Sequence, residues 1–380
     1  MLMVACMFSN LALAANATHY IVTDDDSTGN FIQNSVTFYS VSPSGELTFA
    51  KQVSIGVTGI GGGYFPSKRV VVLDSGSNQC VFATNAASGQ IVGIDGSLKV
   101  RTTVQGSPTD TGLSNGIGLA LGSQYLYASF TDSSNIGTFQ VGSDCALSFV
   151  GDVTTGGLQS GIIDAMAVHG DILVATYGDG SIESFNVSSG MPVSNGDKQN
   201  STAAINAQGA TYPSAIDITQ DGHYAIFGDT STSVSIEVSD ISSGQLTTTR
   251  VYQSALSISS SNIMLSPDES LLYIVDTQGD RLSATFFNSA TGTFSGGCTS
   301  GLISGYSQNW SYLAGLSLAN NTGTGGEIYI AEFGNPASIA MVRVNSSGGH
   351  CSLAEAPGSP VADPNSPGLL SIASFPPRAF

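Results

Sequence analysis

Apolar and polar positions alternate along this chain in short runs, and the runs repeat as a unit. The clearest copy starts Ile263-Met264-Leu265-Ser266-Pro267-Asp268 and continues Leu271-Leu272-Tyr273-Ile274-Val275-Asp276. Leu282-Ser283-Ala284-Thr285-Phe286-Phe287 follows, and the copy ends near Gly292-Thr293-Phe294. Four β-branched and aromatic runs separated by short polar turns predict four antiparallel strands, A to D, of one half-buried sheet. The end of strand B is the most regular signal. It recurs as Ile21-Val22-Thr23-Asp24, Phe82-Ala83-Thr84-Asn85 and Tyr127-Ala128-Ser129-Phe130-Thr131-Asp132. Val174-Ala175-Thr176-Tyr177-Gly178-Asp179, Ala225-Ile226-Phe227-Gly228-Asp229, Ile274-Val275-Asp276 and Tyr329-Ile330-Ala331-Glu332 complete the set.

The seven closing residues lie 47 to 61 residues apart, near the ~40–50-residue period of propeller blades. The two longest spacings contain insertions at 56–67 and around 304–310. The first copy has no strand A before Tyr20, and a spare apolar run, Leu369-Leu370-Ser371-Ile372-Ala373-Ser374-Phe375, follows the seventh. Placing that run innermost in the first blade removes both orphans and leaves no open edge. The expected fold is therefore all-β: one seven-bladed β-propeller over residues 18–380, four antiparallel strands per blade, closed by its C-terminal strand.

Composition agrees and narrows the partners. Of 380 residues 41% are hydrophobic but only 10% are charged, and 46 are glycine. Such a chain has a core and turns, with little material for amphipathic helices. A net charge of −18 repels nucleic acid and anionic membrane surfaces. It leaves a small neutral or cationic ligand, a glycan or a cell-envelope protein as partner; a monomer is expected. Residues 1–17 are apolar, too short to span a bilayer, and offer small-x-small cleavage patterns at Ala12-Leu13-Ala14 and Ala15-Asn16-Ala17, which predicts a signal peptide and export. The expected location is the periplasm, the cell surface or the medium. Met3-Val4-Ala5-Cys6 offers Cys6 as an alternative lipid anchor. No other stretch could cross a membrane as a helix. Cys80, Cys145, Cys298 and Cys351 remain after cleavage, an even count that predicts disulfides with three connectivities open. The strand pattern places Cys80 in an A–B turn and the other three in C–D turns, all on one face.

Ser266-Pro267-Asp268 followed by Leu272-Tyr273-Ile274-Val275-Asp276 is similar to the repeat S-P-D-G-x-x-L-Y-V-x-N, and Phe82-Ala83-Thr84-Asn85 resembles its YVTN core. On these motifs the chain, from Tyr20 to Phe375, resembles the lactonase-like seven-bladed propellers, a group that includes 6-phosphogluconolactonases. The resemblance implies a site of His, Arg and Glu on one face of the central funnel. Here Tyr212-Pro213-Ser214-Ala215-Ile216-Asp217 stands where the sugar-phosphate enzymes have Gly-Pro-Arg-His, and the chain holds only six arginines and four histidines. No catalytic residue carries over.

Propeller topology puts the B–C turns and the connections into each strand A on one face. Asp24, Asn85, Asp132, Asp179, Asp229, Asp276 and Glu332 should ring that mouth, with Asp164 and Asn115 just before their strands A. Crowded carboxylates raise one another's pKa or recruit a cation; the competing reading is that Asp and Asn simply cap turns there. Ca2+ or Mg2+ is the cofactor such a mouth would take, and Asp24 and Asp26 head a D-x-D-x-T-G stretch that lacks the closing acid of a calcium loop, Ser35 standing there. Gly112-Leu113-Ser114-Asn115-Gly116 fits G-x-S-x-G but precedes no helix. His19, His169, His223 and His350 have no zinc spacing. Two functional readings follow. The favoured one is an exported binding module with an acidic mouth. The other is a lactone hydrolase acting on a neutral sugar-type lactone, in which Asp179, Asp229 or Glu332 serves as general base.

Overall fold

The computed structural model describes residues 19–25, 34–56, 68–74, 78–106, 117–130, 133–159, 161–201, 213–229, 235–253, 260–276, 281–304, 312–319, 325–333, 337–363 and 371–375. They form seven antiparallel sheets. From the axis outward, blade 1 is Ser371–Phe375, Tyr20–Asp24, Asn34–Val41 and Leu47–Gly56; blade 2 is Val70–Asp74, Gln79–Asn85, Gln90–Asp95 and Val100–Gln105. Blade 3 is Ile117–Leu121, Tyr125–Phe130, Asn135–Val141 and Leu147–Thr154. Blade 4 is Ile163–His169, Ile172–Tyr177 and Ser181–Asn186, with Val193–Ser194 and Gln199–Asn200 sharing the outer edge. Blade 5 is Pro213–Ile218, Tyr224–Asp229, Ser235–Asp240 and Thr247–Gln253; blade 6 is Ser260–Leu265, Leu271–Asp276, Arg281–Asn288 and Thr293–Thr299. Blade 7 is Tyr312–Ala319, Gly325–Phe333 and Ala337–Ser347, flanked by His350–Glu355 and Val361–Asp363.

Each strand A contacts the strands A of both neighbouring blades, and the sequence of contacts returns to its start, so the ring is closed. Closure runs through blade 1: Tyr20 pairs with Phe375, Val22 with Ala373 and Asp24 with Ser371, as the orphan strands predicted.

The core consists of seven apolar layers, one between each pair of adjacent blades. Side chains alternate across a strand. Leu271, Tyr273 and Val275 therefore face blade 7 while Leu272 and Ile274 face blade 5. Burial on both faces explains why strand B reads as an unbroken apolar run. The outermost strand of blade 1, by contrast, is exposed over most of its length. Polar ties cross the layers as well: the Tyr127 hydroxyl donates to Gly190 O at 3.0 Å and that of Tyr329 to Gly45 O at 2.7 Å.

Two disulfides link neighbours, Cys80–Cys145 between blades 2 and 3 and Cys298–Cys351 between blades 6 and 7. The turn assignment needs correction. Cys80 is the second residue of its strand B, and Cys298 and Cys351 lie within outer strands; only Cys145 sits in a turn. Cys80 and Cys351 nonetheless follow directly on their A–B and C–D turns, so with Cys145 three of the four stay at the expected end, and only Cys298 lies deeper in its strand. Among the described residues, no helix is long and apolar enough to cross a membrane.

Candidate functional site

The mouth is built where strands B end and strands C begin. Asp24 and Asn85 close their strands B there, Glu332 is the penultimate residue of its own, and all three are buried. Asp24 accepts from the Thr84 hydroxyl at 3.3 Å, and the Ser338 hydroxyl donates to Glu332. Asp229 and Asp276 also end their strands, opposite Pro213 and Ser260. Asp132, Asn115 and Asp26 lie outside the described residues, as do residues 1–17, where a signal peptide is expected. Among the described residues no three His, Cys, Asp or Glu side chains converge to hold a metal.

Blade 4 carries the most developed chemistry. Asp179 follows strand B and accepts the Gln159 N–H at 2.6 Å, the Ser181 N–H at 3.0 Å and the Ser181 hydroxyl at 2.5 Å. Burial pushes its carboxyl up, but these bonds and one from the Gly161 N–H outweigh it and hold Asp179 below the usual carboxylate range. The loop reaches Asp179 because Gly157 and Gly161 lack side chains. A Cβ on Gly157 would fall 2.2 Å from Asp179 Oδ2, and one on Gly161 2.6 Å from its backbone nitrogen. Asp179 is thus a fixed negative charge that organises a turn.

Asp164 behaves oppositely. It lies inside strand A of blade 4, one residue past the start, and not in the connection before it. The ladder skips it: Ile163 pairs with Tyr177 and Ala165 with Thr176. A bulge of this kind re-aims one side chain and is common beside active sites. Strands A of blades 5, 6 and 7 skip a residue at the same place, but there the skipped residues are Ser214, Ser261 and Ala314. Burial, and then the charge of Asp179, push Asp164 up to about 7. Two carboxyl groups of one blade are therefore driven apart, one held ionised and the other poised near neutrality.

Four further buried charged residues were not singled out as site residues by the sequence. Asp25 and Asp363 are fully buried at the junction of blades 1 and 7. Glu183 in blade 4 accepts from Ser194 at 2.6 Å, Tyr177 at 2.7 Å and Thr155 at 3.0 Å, with Lys198 at 2.9 Å. Burial raises Glu183, but these partners hold it below its ordinary range. Arg69, just ahead of blade 2's innermost strand, is 2% exposed despite its charge. Such groups turn inward only once blades are stacked, so spacing along the chain could not reveal them. On the axis lies a cavity of about 390 Å3. Its walls come from strands A of several blades, with His169, Gln220, Pro267 and Glu269 lining the A–B-turn end, opposite the mouth.

A closed ring of seven antiparallel blades, five of them four-stranded and two five-stranded, defines the class, a seven-bladed β-propeller with the architecture of lactonases. Residues 101–357 match the family described as "Lactonase, 7-bladed beta-propeller", and the chain belongs to that family. No curated protein matches the sequence. Among solved structures, a putative 6-phosphogluconolactonase from Bacteroides fragilis superposes with a TM-score of 0.68 at 13% identity, over 94% of this chain and 98% of that one. The periplasmic gluconolactonase of Pseudomonas aeruginosa gives 0.66 at 13% identity, over 94% and 99%. A hypothetical selenium-binding protein from Sulfolobus tokodaii gives 0.67 at 10% identity, over 93% and 94%. Likeness at this identity shows a shared fold and leaves the reaction to the site.

Proposed function

We propose that the protein hydrolyses a neutral lactone at the mouth, with Asp164 as general base. One observation carries this reading: a carboxyl group re-aimed by a bulge in the innermost strand, with a pKa of about 7. A base poised near the working pH is what water activation requires. Asp164 takes a proton from water as the water oxygen bonds to the lactone carbonyl carbon. The C–O bond to the ring oxygen then breaks, and that oxygen leaves with the proton returned by Asp164. The product is a hydroxy acid, an anion at neutral pH, which a chain of net charge −18 repels. The same field disfavours phosphorylated substrates. Family membership supports the lactonase reading over the binding module, which rests on acidity alone. The two disulfides support an oxidising, exported location.

The test is hydrolysis of unsubstituted and hydroxylated five- and six-membered lactones, followed by pH-stat. We expect kcat/KM to rise with pH to a plateau, half-maximal near the pKa of Asp164. Asp164→Asn should lower it by about 10²-fold or more. If the wild-type protein turns over no neutral lactone above the uncatalysed rate, the enzyme reading fails and the binding module replaces it.

A further inference from the structure

Strands A all run from the mouth toward the A–B turns, and burial changes along them in that direction. In blades 2, 3 and 4, Val70, Leu119 and Met166 are buried, while Val72, Leu121 and Val168, two residues further on, are half-buried. Beyond them His169 and Gln220 are exposed. All of these residues line the axial cavity of about 390 Å3. The cavity therefore opens at the A–B-turn face, and a solute can enter it from there. Its volume suits a small molecule, and sites for small molecules are mostly apolar with a few placed polar groups.

Two carboxylates stand among the aliphatic walls, near the opening. Asp217 lies on strand A of blade 5 and Glu269 in the A–B turn of blade 6, and both are half-buried. Backbone groups that cross between the two blades fix them. Asp217 Oδ2 accepts the Leu265 N–H at 2.9 Å and its Oδ1 the Ile218 N–H at 3.0 Å. Glu269 accepts the Gln220 N–H, and Gln220 Nε2 donates to Pro267 O at 2.8 Å. A carboxylate accepts at about four lone-pair positions, so bonds of this kind leave it able to hold a further donor. Burial, then the charges of Asp221, Asp217 and Asp268, push Glu269 above the usual carboxylate range against the pull of the Gln220 N–H. Among the described residues, the other ionisable groups lining the cavity are His169 at the opening and Lys68. Lys68 stands two residues ahead of strand A of blade 2, at the mouth-ward end.

We infer that the A–B-turn end of the axial cavity is a second ligand site, and that it takes an organic cation. The ammonium group is held at the carboxylates of Asp217 and Glu269, and a compact apolar body packs against the aliphatic walls. Charge-assisted bonds of this kind are the strong ones. An anion would be repelled by both carboxylates. A polyol would bring its hydroxyls against Val72, Leu121 and Met264, where they lose water and gain no partner. An uncharged apolar molecule would strip water from the two carboxylates without replacing it. The inference stands apart from the lactonase reading, because this site opens on the face opposite the mouth.

Calorimetric titration of the full chain at pH 7 tests it with cyclohexylammonium, cyclohexanol and cyclohexanecarboxylate, probes of similar shape and different charge. The ammonium should bind at a single site, at least tenfold more tightly than the alcohol, and the carboxylate should not bind. Glu269→Gln keeps an acceptor oxygen for the Gln220 N–H and should weaken the ammonium at least tenfold, as should Asp217→Asn. Glu46→Gln, which removes the same charge at the exposed C–D turn of blade 1, should leave it unchanged. Melting temperatures show which variants are folded, and if Asp217→Asn is not, Glu269→Gln alone decides. Failure of the ammonium to bind overturns the inference, as does equal affinity for the alcohol or measurable affinity for the carboxylate. Unchanged affinity in Glu269→Gln overturns it too. So does a loss in Glu46→Gln as large as in Glu269→Gln, which would assign the attraction to the net charge of −18 and not to the cavity.

Discussion

Asp25 shares its fully buried site with a second carboxyl group, that of Asp363. Hydroxyls of Thr23, Ser35 and Thr37 donate to Asp25 at 3.0, 2.5 and 2.8 Å, and Gln52 Nε2 at 3.3 Å. Burial and the charge of Asp363 outweigh these bonds and push Asp25 up to about 7. Burial, and then the same Asp363 charge, drive Tyr39 far above its usual range. Between about pH 4 and pH 7 the folded chain therefore keeps a proton on Asp25 that the unfolded chain has lost, and stability falls as pH rises through that window. Asp164 acts with the same sign. Asp95, Asp179 and Asp268, all held low, act with the opposite sign and lose their contribution as pH drops below about 4. The melting temperature should thus peak in mildly acidic buffer and decline from pH 5 to pH 8, and Asp25→Asn should flatten that decline. A melting curve that rises from pH 5 to pH 8 would show that the pair is not protonated in the fold. In the sequence Asp25 was only the middle of an acidic turn and Asp363 carried no mark at all. The two meet because blade 7's last strand returns beside blade 1, a contact no local pattern encodes.

The closing strand Ser371–Phe375 does more than complete a hydrogen-bond ladder. Phe375, 2% exposed, sets its ring 6.5 Å from that of Tyr20 and 6.2 Å from that of Phe38, so the last strand inserts an aromatic anchor between the first two. Phe375→Ala should cost about 3–5 kcal/mol, read as a lower urea midpoint with an unchanged slope. A loss below about 1 kcal/mol would mean that the ring stays shut without it. Strands of this kind were legible because burial on both faces writes a continuous apolar run closed by a polar residue, as in Leu271–Asp276. The bulges were not. Whether the ladder skips Asp164 depends on how strand A registers against strand B, and the sequence shows only an acid near a strand start. That single register shift separates a turn residue from the candidate base.

At the scale of the molecule, stability is distributed among seven equivalent apolar layers, and the two disulfides reinforce only two of them. Bridging residues 65 and 53 positions apart should contribute about 4 kcal/mol each by restricting the unfolded chain. Reduction under native conditions should lower the melting temperature, and Cys80→Ser with Cys145→Ser should reproduce part of that drop. A reduced protein that melts with the oxidised one would show that the bridges do not form. The cysteine count announced disulfides but left three pairings open. Adjacency of blades 2 and 3, and of 6 and 7, chooses among them, and adjacency is a property of the ring. Neither bridge spans the junction where the circle begins and ends. There Tyr20 and Phe375 are partners on the first rung of an antiparallel ladder. A pull exerted through the two flanks of the chain falls on that rung, then on the next, so the circle parts like a zip and offers little mechanical resistance, however firmly heat or urea finds it held.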